Sequence, residues 1–321
     1  MDAQEVAFAF GLGRAITLSG PIARGEVGEI RRLETDRGTW AVKQDLEPLD
    51  KADVAEQEAT ADFHRRCWEA GIPTPEPLPT RSGGYVAELA TGHARAYSWV
   101  DLVDPDTGLD PAHVGVLLAR LHAVPAPPEG GVDGWFEAPI GEAEWAAVLK
   151  ASRAAGAPFA DRLAELVESL VEVESILTPM TPVQTCHLDL WSDNLRRTTS
   201  GELCVIDFDN AGPADPSREI GMLLFDLGQG DAARQRRLYA AYRDAGGPGR
   251  VTGRADFALT VAQLHHIGHR HLTMWLAARD PEARARSLAG VEEFLGGPLT
   301  LAEVDRLVDA VLRPARIPRS G

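Results

Sequence analysis

CHLDLWSDN (Cys186–Asn194) and VIDFD (Val205–Asp209) are the two stretches that decide the fold of this chain. They contain a His-x-Asp-x-x-x-x-Asn spacing, which includes Asp189 and Asn194, and an aspartate, Asp207, that follows two apolar residues. Carboxylate and amide oxygens suit Mg²⁺, which keeps several waters and takes further ligands from phosphates. Another carboxylate can accept or orient the proton of an attacking hydroxyl. The two stretches therefore indicate phosphoryl transfer.

Lysine and asparagine are rare in this chain, so the few examples carry weight. Of the 32 basic residues only three are lysines, Lys43, Lys51 and Lys150, and one of the two asparagines is Asn194. Lys43 closes a strand-like run, Thr39–Lys43, where arginine would be the usual choice. An ammonium is a point charge that suits phosphate oxygens, whereas a guanidinium prefers planar bidentate partners. We therefore predict that Lys43 contacts phosphate, with a solvated strand-end charge as the alternative, and that Lys51 and Lys150 are surface charges.

The N-terminal part of the chain is predicted to form an antiparallel sheet and one main helix. A glycine-bearing loop lies between the first two strands, and its backbone amides near Gly25 and Gly28 could approach phosphate. An ordinary hairpin is the alternative for that loop. The run 52–70 has helical periodicity and ends at a glycine and a proline. Five strands are predicted from alternation and turn residues, at 15–18, 29–34, 40–43, 84–89 and 95–100.

Helical patterns dominate after residue 100, where turn signals mark a boundary. We therefore place a boundary between 1–97 and 103–321, with a linker at 98–102. By resemblance of the motifs to the kinase fold, these would be a nucleotide-binding lobe, a helical lobe with the catalytic loop and acceptor site, and the hinge linker between them. Only 203–208 is predicted as strand in this part. The predicted helices are 111–121, 141–155, 159–177, 217–227, 232–244, 257–277, 281–294 and 302–312.

Together these residues resemble the aminoglycoside phosphotransferase family, small-molecule kinases that share the protein-kinase fold. The resemblance spans nearly the whole chain and is most specific at His187–Asn194 and Val205–Pro216. The second of these stretches is similar to the family pattern Ile-Asp-aromatic-acid-x-x-x-Gly-Asp-Pro. It implies an α+β, two-lobed, protein-kinase-like fold. The N-lobe would hold a small antiparallel sheet with one main helix, and the larger C-lobe would be mostly helical.

The resemblance also implies roles for individual residues. Asp189 would be the catalytic carboxylate, Asn194 and Asp207 would bind Mg²⁺, and Lys43 would contact the phosphates of ATP. The linker backbone from Ser98 to Val100 would bind the adenine edge, which leaves the choice between ATP and GTP open.

A helix carboxylate should hold Lys43 toward the phosphates in this fold. We choose Glu58 for this role over Glu56 and Asp62, and a solvated helix face is the remaining alternative.

Residues beside the motifs are interpreted as support. His187 would anchor the loop by hydrogen bonding, and Asp215 would cap the following helix or brace the loop. Asp193 and Asp209 either support the metal site or are solvated. Leu188 stands where protein kinases carry arginine, and no Asp-Phe-Gly or Ala-Pro-Glu follows, which disfavours a protein substrate.

Histidines cluster in Leu264–His271, and Trp275 follows shortly after. His265 and His269 share a helical face, but no carboxylate or cysteine lies at the spacing of a zinc site. Because the family lines its acceptor site with C-lobe helices, we predict that His266, His269 or Trp275 contacts substrate. Core or surface positions are the alternative.

The formal net charge of −16 limits the kinds of partner. Nucleic acids and anionic membranes require positive patches, so neither is predicted to bind. The charge favours a cationic acceptor or only aids solubility, and both explanations stay open. Three scattered cysteines and the lack of a long apolar run predict a soluble protein in the reducing cytoplasm.

The sequence thus predicts an ATP- and Mg²⁺-dependent phosphotransferase that modifies a hydroxyl of a small molecule, such as an aminoglycoside or another antibiotic. One alternative is a metabolic kinase for an amino sugar, a choline-like amine or an amino acid alcohol. Another is a nucleotide-binding regulator without catalysis, which the complete set of Asp189, Asn194 and Asp207 disfavours. The acceptor, its hydroxyl position and the oligomeric state are left open.

Overall fold

The computed structural model describes residues 1–25 and 28–313. Contacts divide the chain into two compact units, the first of which extends past the predicted 1–97 and takes in 189–212 as well. The division into lobes by function stays a prediction. The first unit comprises Met1–Asp106, Ala123–Ala126 and Asp189–Gly212, and the second comprises Thr107–His122, Pro127–Leu188 and Pro213–Gly321.

An antiparallel sheet forms the centre of the first unit. Its strands are β1 (Ala15–Arg24), β2 (Gly28–Thr35), β3 (Gly38–Asp45), β4 (Pro77–Leu78), β5 (Ala87–Leu89) and β6 (Gly92–Ser98). They are ordered β1-β2-β3-β6-β4, and β5 also pairs with β6. The sheet has six strands rather than the predicted five, because Pro77 and Leu78 pair with β6 as the short strand β4. A proline fits there because an edge strand has no neighbour on one side.

β1 is an irregular edge strand. Its pairing with β2 shifts register three times, twice at Pro21. Such bulges bend a strand and increase its twist. Ile16 and Ile22 on this strand are 58% and 51% exposed. By contrast, β2 and β3 pair without a shift along their whole length.

Two helices belong to the first unit. α1 (Ala3–Ala9), which the sequence analysis did not predict, buries Val6 beside Leu33 and Val42 of the sheet. α2 (Lys51–Glu69) agrees with the predicted helix at 52–70 and begins at a capping box formed by Asp50 and Asp53. A capping box satisfies amide groups that the first helical turn leaves without partners.

A short hairpin also lies in the first unit and carries part of the motif region. β8 (Leu195–Arg197) and β9 (Leu203–Val205) pair antiparallel, with Leu195 opposite Val205. The strand predicted at 203–208 is therefore present but ends at Val205.

The second unit is mainly helical, as predicted. Two more short strands in the chain, β7 (Gln184–Cys186) and β10 (Gly212–Ala214), were not predicted, because a three-residue strand has too few positions to show alternation. The elements are α3 (Pro111–His122), α4 (Glu142–Ala154), α5 (Ala160–Val173), β7 (Gln184–Cys186), β10 (Gly212–Ala214), α6 (Pro216–Asp226), α7 (Ala232–Asp244), α8 (Ala258–Ala277), α9 (Pro281–Gly296) and α10 (Leu301–Leu312).

One hydrophobic core of the second unit is built on α4, α5, α8 and α9 and includes Trp145, Leu163 and Leu272. Trp275 lies in this core at 5% exposure and packs edge-on against Phe159. Trp275 therefore occupies a core position, the alternative to the substrate contact predicted for it. No helix in the part of the chain that the structure describes is long and apolar enough to cross a membrane.

Candidate active site

In the loop before β8, the side chain of Asn194 fixes the side chain of Asp189. The Asn194 Nδ2 group donates to Asp189 Oδ2 at 3.0 Å and to the Asp189 carbonyl at 2.8 Å. This double contact fixes the Asp189 carboxylate and leaves the side-chain amide oxygen of Asn194 as an acceptor. Burial, together with the charge of Asp207, raises the pKa of Asp189 to about 6.

The hairpin of β8 and β9 explains why Asn194 and Asp207 lie together. Asn194 directly precedes β8, and its carbonyl accepts from the Ile206 amide at 3.0 Å. Asp207 follows at once, with a φ of 58°. A left-handed conformation is unusual for a residue other than glycine and clusters at functional sites. The hairpin therefore brings an amide and a carboxylate from separate motif stretches to one place.

Lys43 reaches the same place from the centre of the sheet. Its Nζ atom lies 2.7 Å from Asp207 Oδ1 and 2.8 Å from Asp209 Oδ2, and the residue is 7% exposed. Burial opposes the charge, but Asp209 and Asp207 raise the pKa of Lys43 above its ordinary value. The four residues Lys43, Asp189, Asn194 and Asp207 thus lie within one compact unit.

Arg95 and Asp45 extend this site, and neither was predicted. Arg95 is the cross-strand partner of Lys43, so both side chains point to one face of the sheet. Its guanidinium contacts Asp209 through two bonds of 2.5 and 2.9 Å and Asp45 at 3.3 Å. Burial opposes ionisation, but Lys43 and Arg95 hold the pKa of Asp209 well below its usual range. Strand register, which a single sequence does not show, was the missing signal.

Phe208 separates the two aspartates and packs on α2. Its ring stacks on His64 with centroids 4.1 Å apart and meets the ring of Phe63 edge-on. The packed ring anchors the backbone between Asp207 and Asp209.

Glu58 does not hold Lys43 as predicted. Both of its carboxylate oxygens accept from the Tyr85 amide, and one also accepts from the Val86 amide, at 2.8 to 2.9 Å. Gly84 can lie against the Glu58 carboxylate because it has no Cβ. A Cβ at this position would lie only 2.6 Å from a carboxylate oxygen. Glu58 thus fixes the turn that leads into β5. The periodicity of α2 alone did not reveal which turn of the helix faces Lys43.

We expect Glu58→Ala to lower the free energy of unfolding by about 1–3 kcal/mol, since it leaves two amides without their acceptor. The dissociation constant for ATP should change by less than about twofold. Denaturant unfolding and calorimetric binding of ATP would measure the two effects, with Lys43→Met as the control for lost phosphate contact. A Glu58→Ala protein of normal stability that binds ATP as weakly as Lys43→Met would contradict this assignment.

The predicted nucleotide-binding backbone positions lie at two places in the first unit. The Gly25 amide donates to the Gly28 carbonyl at 2.9 Å, while residues 26 and 27 lie outside the described residues. A Cβ on Gly28 would lie 3.3 Å from the Lys43 side chain. Ser98 ends β6 and exchanges bonds with Glu76, and Val100 follows as a partly buried residue. The nucleotide contacts of these residues stay predictions.

In the second unit, a buried network holds the residue that precedes Asp189. Leu188 has a φ of 63°, its amide donates to Glu219 Oε1 at 2.5 Å, and its carbonyl accepts from Gln263 at 2.7 Å. Glu219 also contacts His122 at 2.6 Å, and His122 lies 2.8 Å from the Tyr242 hydroxyl. This set fixes the strained backbone at Leu188 from both sides.

Two predicted supporting residues lie close to this network. His187 is fully buried. Asp215 is the N-cap of α6 and accepts from the Ser217 amide at 2.8 Å.

The histidines of α8 have separate partners. His265 is buried and donates to Glu174 at 2.8 Å, and that carboxylate also accepts from Trp145 and from the Ile140 and Gly141 amides. His265 therefore has a structural role.

The two histidines predicted to contact substrate are less buried. His266 lies 3.0 Å from the Ala138 carbonyl and stacks on Trp135, and His269 lies 3.1 Å from Glu144. Their contact with substrate stays a prediction.

One group of possible metal ligands lies elsewhere in the described residues, at His122, Cys186 and Glu219. Both nitrogens of His122 already have partners, and its bond to Glu219 leaves no space for an ion between them. We therefore regard this group as part of the network around Leu188.

Comparison with known proteins gives one sequence match and many structural ones. A model of the phosphotransferase enzyme family matches residues 21–258. A comparison with curated proteins finds no match.

Three solved structures illustrate the likeness in fold. Spectinomycin phosphotransferase APH(9)-Ia, in complex with ADP and spectinomycin, is 12% identical, with a TM-score of 0.66 over 95% of this chain and 97% of that one. Amicoumacin kinase hAmiN, in complex with AMP-PNP, Ca²⁺ and Ami, is 14% identical, with a TM-score of 0.54 over 94% and 95%. Choline kinase LicA from Streptococcus pneumoniae is 12% identical, with a TM-score of 0.53 over 88% and 95%. The α+β, protein-kinase-like fold is thereby confirmed.

Proposed function

Since this chain belongs to the phosphotransferase enzyme family and is a small-molecule phosphotransferase, we propose that it transfers the γ-phosphoryl group of ATP, with Mg²⁺, to a hydroxyl of a cationic small molecule. The observation that carries the proposal is the meeting of Lys43, Asp189, Asn194 and Asp207 at one site. Phosphoryl transfer needs such a set for positioning and charge stabilisation, and a protein that only binds nucleotide does not.

The residues present fit a hard divalent cation. The side-chain nitrogen of Asn194 donates to Asp189, so its side-chain amide oxygen is the atom that would bind a metal. Asp207 has a carboxylate that is 40% exposed. An all-oxygen donor set suits Mg²⁺, which when bound would neutralise charge on the transferring phosphates.

Asp189 would orient the acceptor hydroxyl. Its carboxylate is held by Asn194, and fixed geometry matters more than basicity because the transition state of phosphoryl transfer is loose. Lys43 would bind the phosphate oxygens. Its ammonium would then exchange its contact with Asp207 for a contact with the nucleotide.

The acceptor is proposed to carry a hydroxyl and a cationic amine. The chain's net charge of −16 favours a cation. Proteins of the same fold include a spectinomycin phosphotransferase and a choline kinase, so an aminoglycoside or other antibiotic and a choline-like metabolite are both candidates.

Acceptor-dependent release of ADP tests the proposal. Purified protein with ATP and Mg²⁺ would be screened against aminoglycosides, spectinomycin, macrolides, choline, ethanolamine and amino sugars. We expect one chemical class to stimulate ADP release, and EDTA to abolish it. Tight ATP binding without stimulation by any acceptor would support the nucleotide-binding regulator instead.

A further inference from the structure

The lysine of the site has no carboxylate from α2 among its described contacts. In the kinase fold a helix glutamate pairs with this lysine and keeps it pointed at the phosphates. Here Glu58 binds the backbone at Tyr85 and Val86, and Asp62 pairs with arginines of its own helix. Glu56 is exposed. Another group must therefore hold Lys43.

Asp209 is in the position to do so. Its Oδ2 atom lies 2.8 Å from Lys43 Nζ, and the Arg95 guanidinium donates hydrogen bonds to both of its carboxylate oxygens. Arg95 is itself 2% exposed and lies directly across the sheet from Lys43. We propose that Asp209, fixed by Arg95, is the residue that positions Lys43 for the nucleotide, in place of a helix glutamate. This inference rests on the proposed function.

Asp207 contacts Lys43 too, but it is the less suitable permanent partner. Its side chain is 40% exposed and is a proposed metal ligand, so a bound metal ion would compete with Lys43 for its negative charge. Asp209 is 21% exposed, and both of its oxygens already bind cations. When the nucleotide binds, Lys43 exchanges Asp207 for phosphate and keeps Asp209.

α2 still reaches this arrangement, through an uncharged residue. Gln57 donates to Asp45 Oδ1 at 3.0 Å, and the same oxygen accepts from Arg95. The buried Asp45 Oδ2 and Arg95 Nε atoms have no hydrogen-bond partner. Buried polar atoms without partners cost stability, so stability alone does not account for this arrangement. Gln57 and Asp45 therefore orient Arg95, which orients Asp209.

The test is a double-mutant cycle on nucleotide affinity. Binding of ADP would be measured by calorimetry, with Mg²⁺ and again in EDTA, for the wild type, Asp209→Asn, Lys43→Met and the double variant. We expect Asp209→Asn to weaken ADP binding about ten- to a hundredfold under both conditions. The variant loses the charge-assisted contact that positions Lys43 for the phosphates. The same change in the Lys43→Met protein should have almost no effect. Arg95→Met should weaken binding in the same direction as Asp209→Asn.

Asp305→Asn is the matched control, because Asp305 also forms a two-bond pair with an arginine, Arg254, on an exposed surface of the second unit. This control should bind ADP like the wild type. If Asp209→Asn does not fold, Asp209→Glu keeps the charge but displaces it, and weaker ADP binding that again depends on Lys43 would support the proposal.

Four results would overturn the proposal, the first three of them in a protein that binds ADP. Unchanged affinity in Asp209→Asn would exclude the positioning role. Weakening in Mg²⁺ but not in EDTA would make Asp209 a metal ligand instead, and equal weakening with and without Lys43 would show that the two residues act independently. If the wild-type protein binds no ADP, the proposed function fails, and the positioning role fails with it.

Discussion

Replacing Asp189 with alanine is expected to reduce acceptor-dependent ADP release by roughly 10²- to 10⁴-fold. The carboxylate that orients the hydroxyl is lost, whereas Lys43, Asp207 and Asp209 keep their mutual contacts. The dissociation constant for ATP should therefore stay close to the wild-type value. Steady-state ADP release with a stimulating acceptor, together with calorimetry of ATP binding, measures both quantities.

Asp193→Ala is the matched control for this variant. Asp193 is an exposed aspartate of the same loop, and no contact of its side chain is described. Its replacement should change the rate by less than about twofold. A similar loss of rate in both variants would show that the loop, rather than the Asp189 carboxylate, is what the substitution disturbs.

Replacing Glu219 with alanine is expected to lower the free energy of unfolding by about 3–5 kcal/mol. Glu219 is fully buried, and its loss leaves His122 and the Leu188 amide without their acceptor. Burial opposes its ionisation, but the hydrogen bond from His122 holds the pKa of Glu219 below its ordinary value, which favours the charged carboxylate at neutral pH. Urea denaturation at neutral pH would measure the loss.

Glu144 provides the comparison, since it also pairs with a histidine, His269, but its side chain is 54% exposed. Glu144→Ala should lower the free energy of unfolding by no more than about 1 kcal/mol, because exposed ion pairs usually contribute no more than that. Equal costs for the two glutamates would mean that the network around Leu188 does not stabilise the fold.

The chemical motif was readable from the sequence because it is local. Asp189 and Asn194 lie in one loop, and Asp207 follows after one short hairpin, so little packing intervenes between motif and site. The helices of the second unit were also predicted to within a few residues, since long periodic runs determine their own structure.

Long-range side-chain partners were not readable. Whether Glu58 faces Lys43 depends on how α2 rotates against the sheet, and a rotation of one residue changes the partner entirely. Arg95 enters the site only through the register of β3 and β6. Trp275 joined the core because α8 packs that face against α4, α5 and α9.

The irregular β1 edge has a consequence for aggregation. A regular outer strand offers a row of free amides and carbonyls to which a second molecule can add, and fibrous aggregates grow in this way. Pro21 has no amide hydrogen to offer, and the register shifts around it break the row. We therefore infer that the apolar Ile16 and Ile22, although exposed, do not make this border a template for amyloid-like stacking.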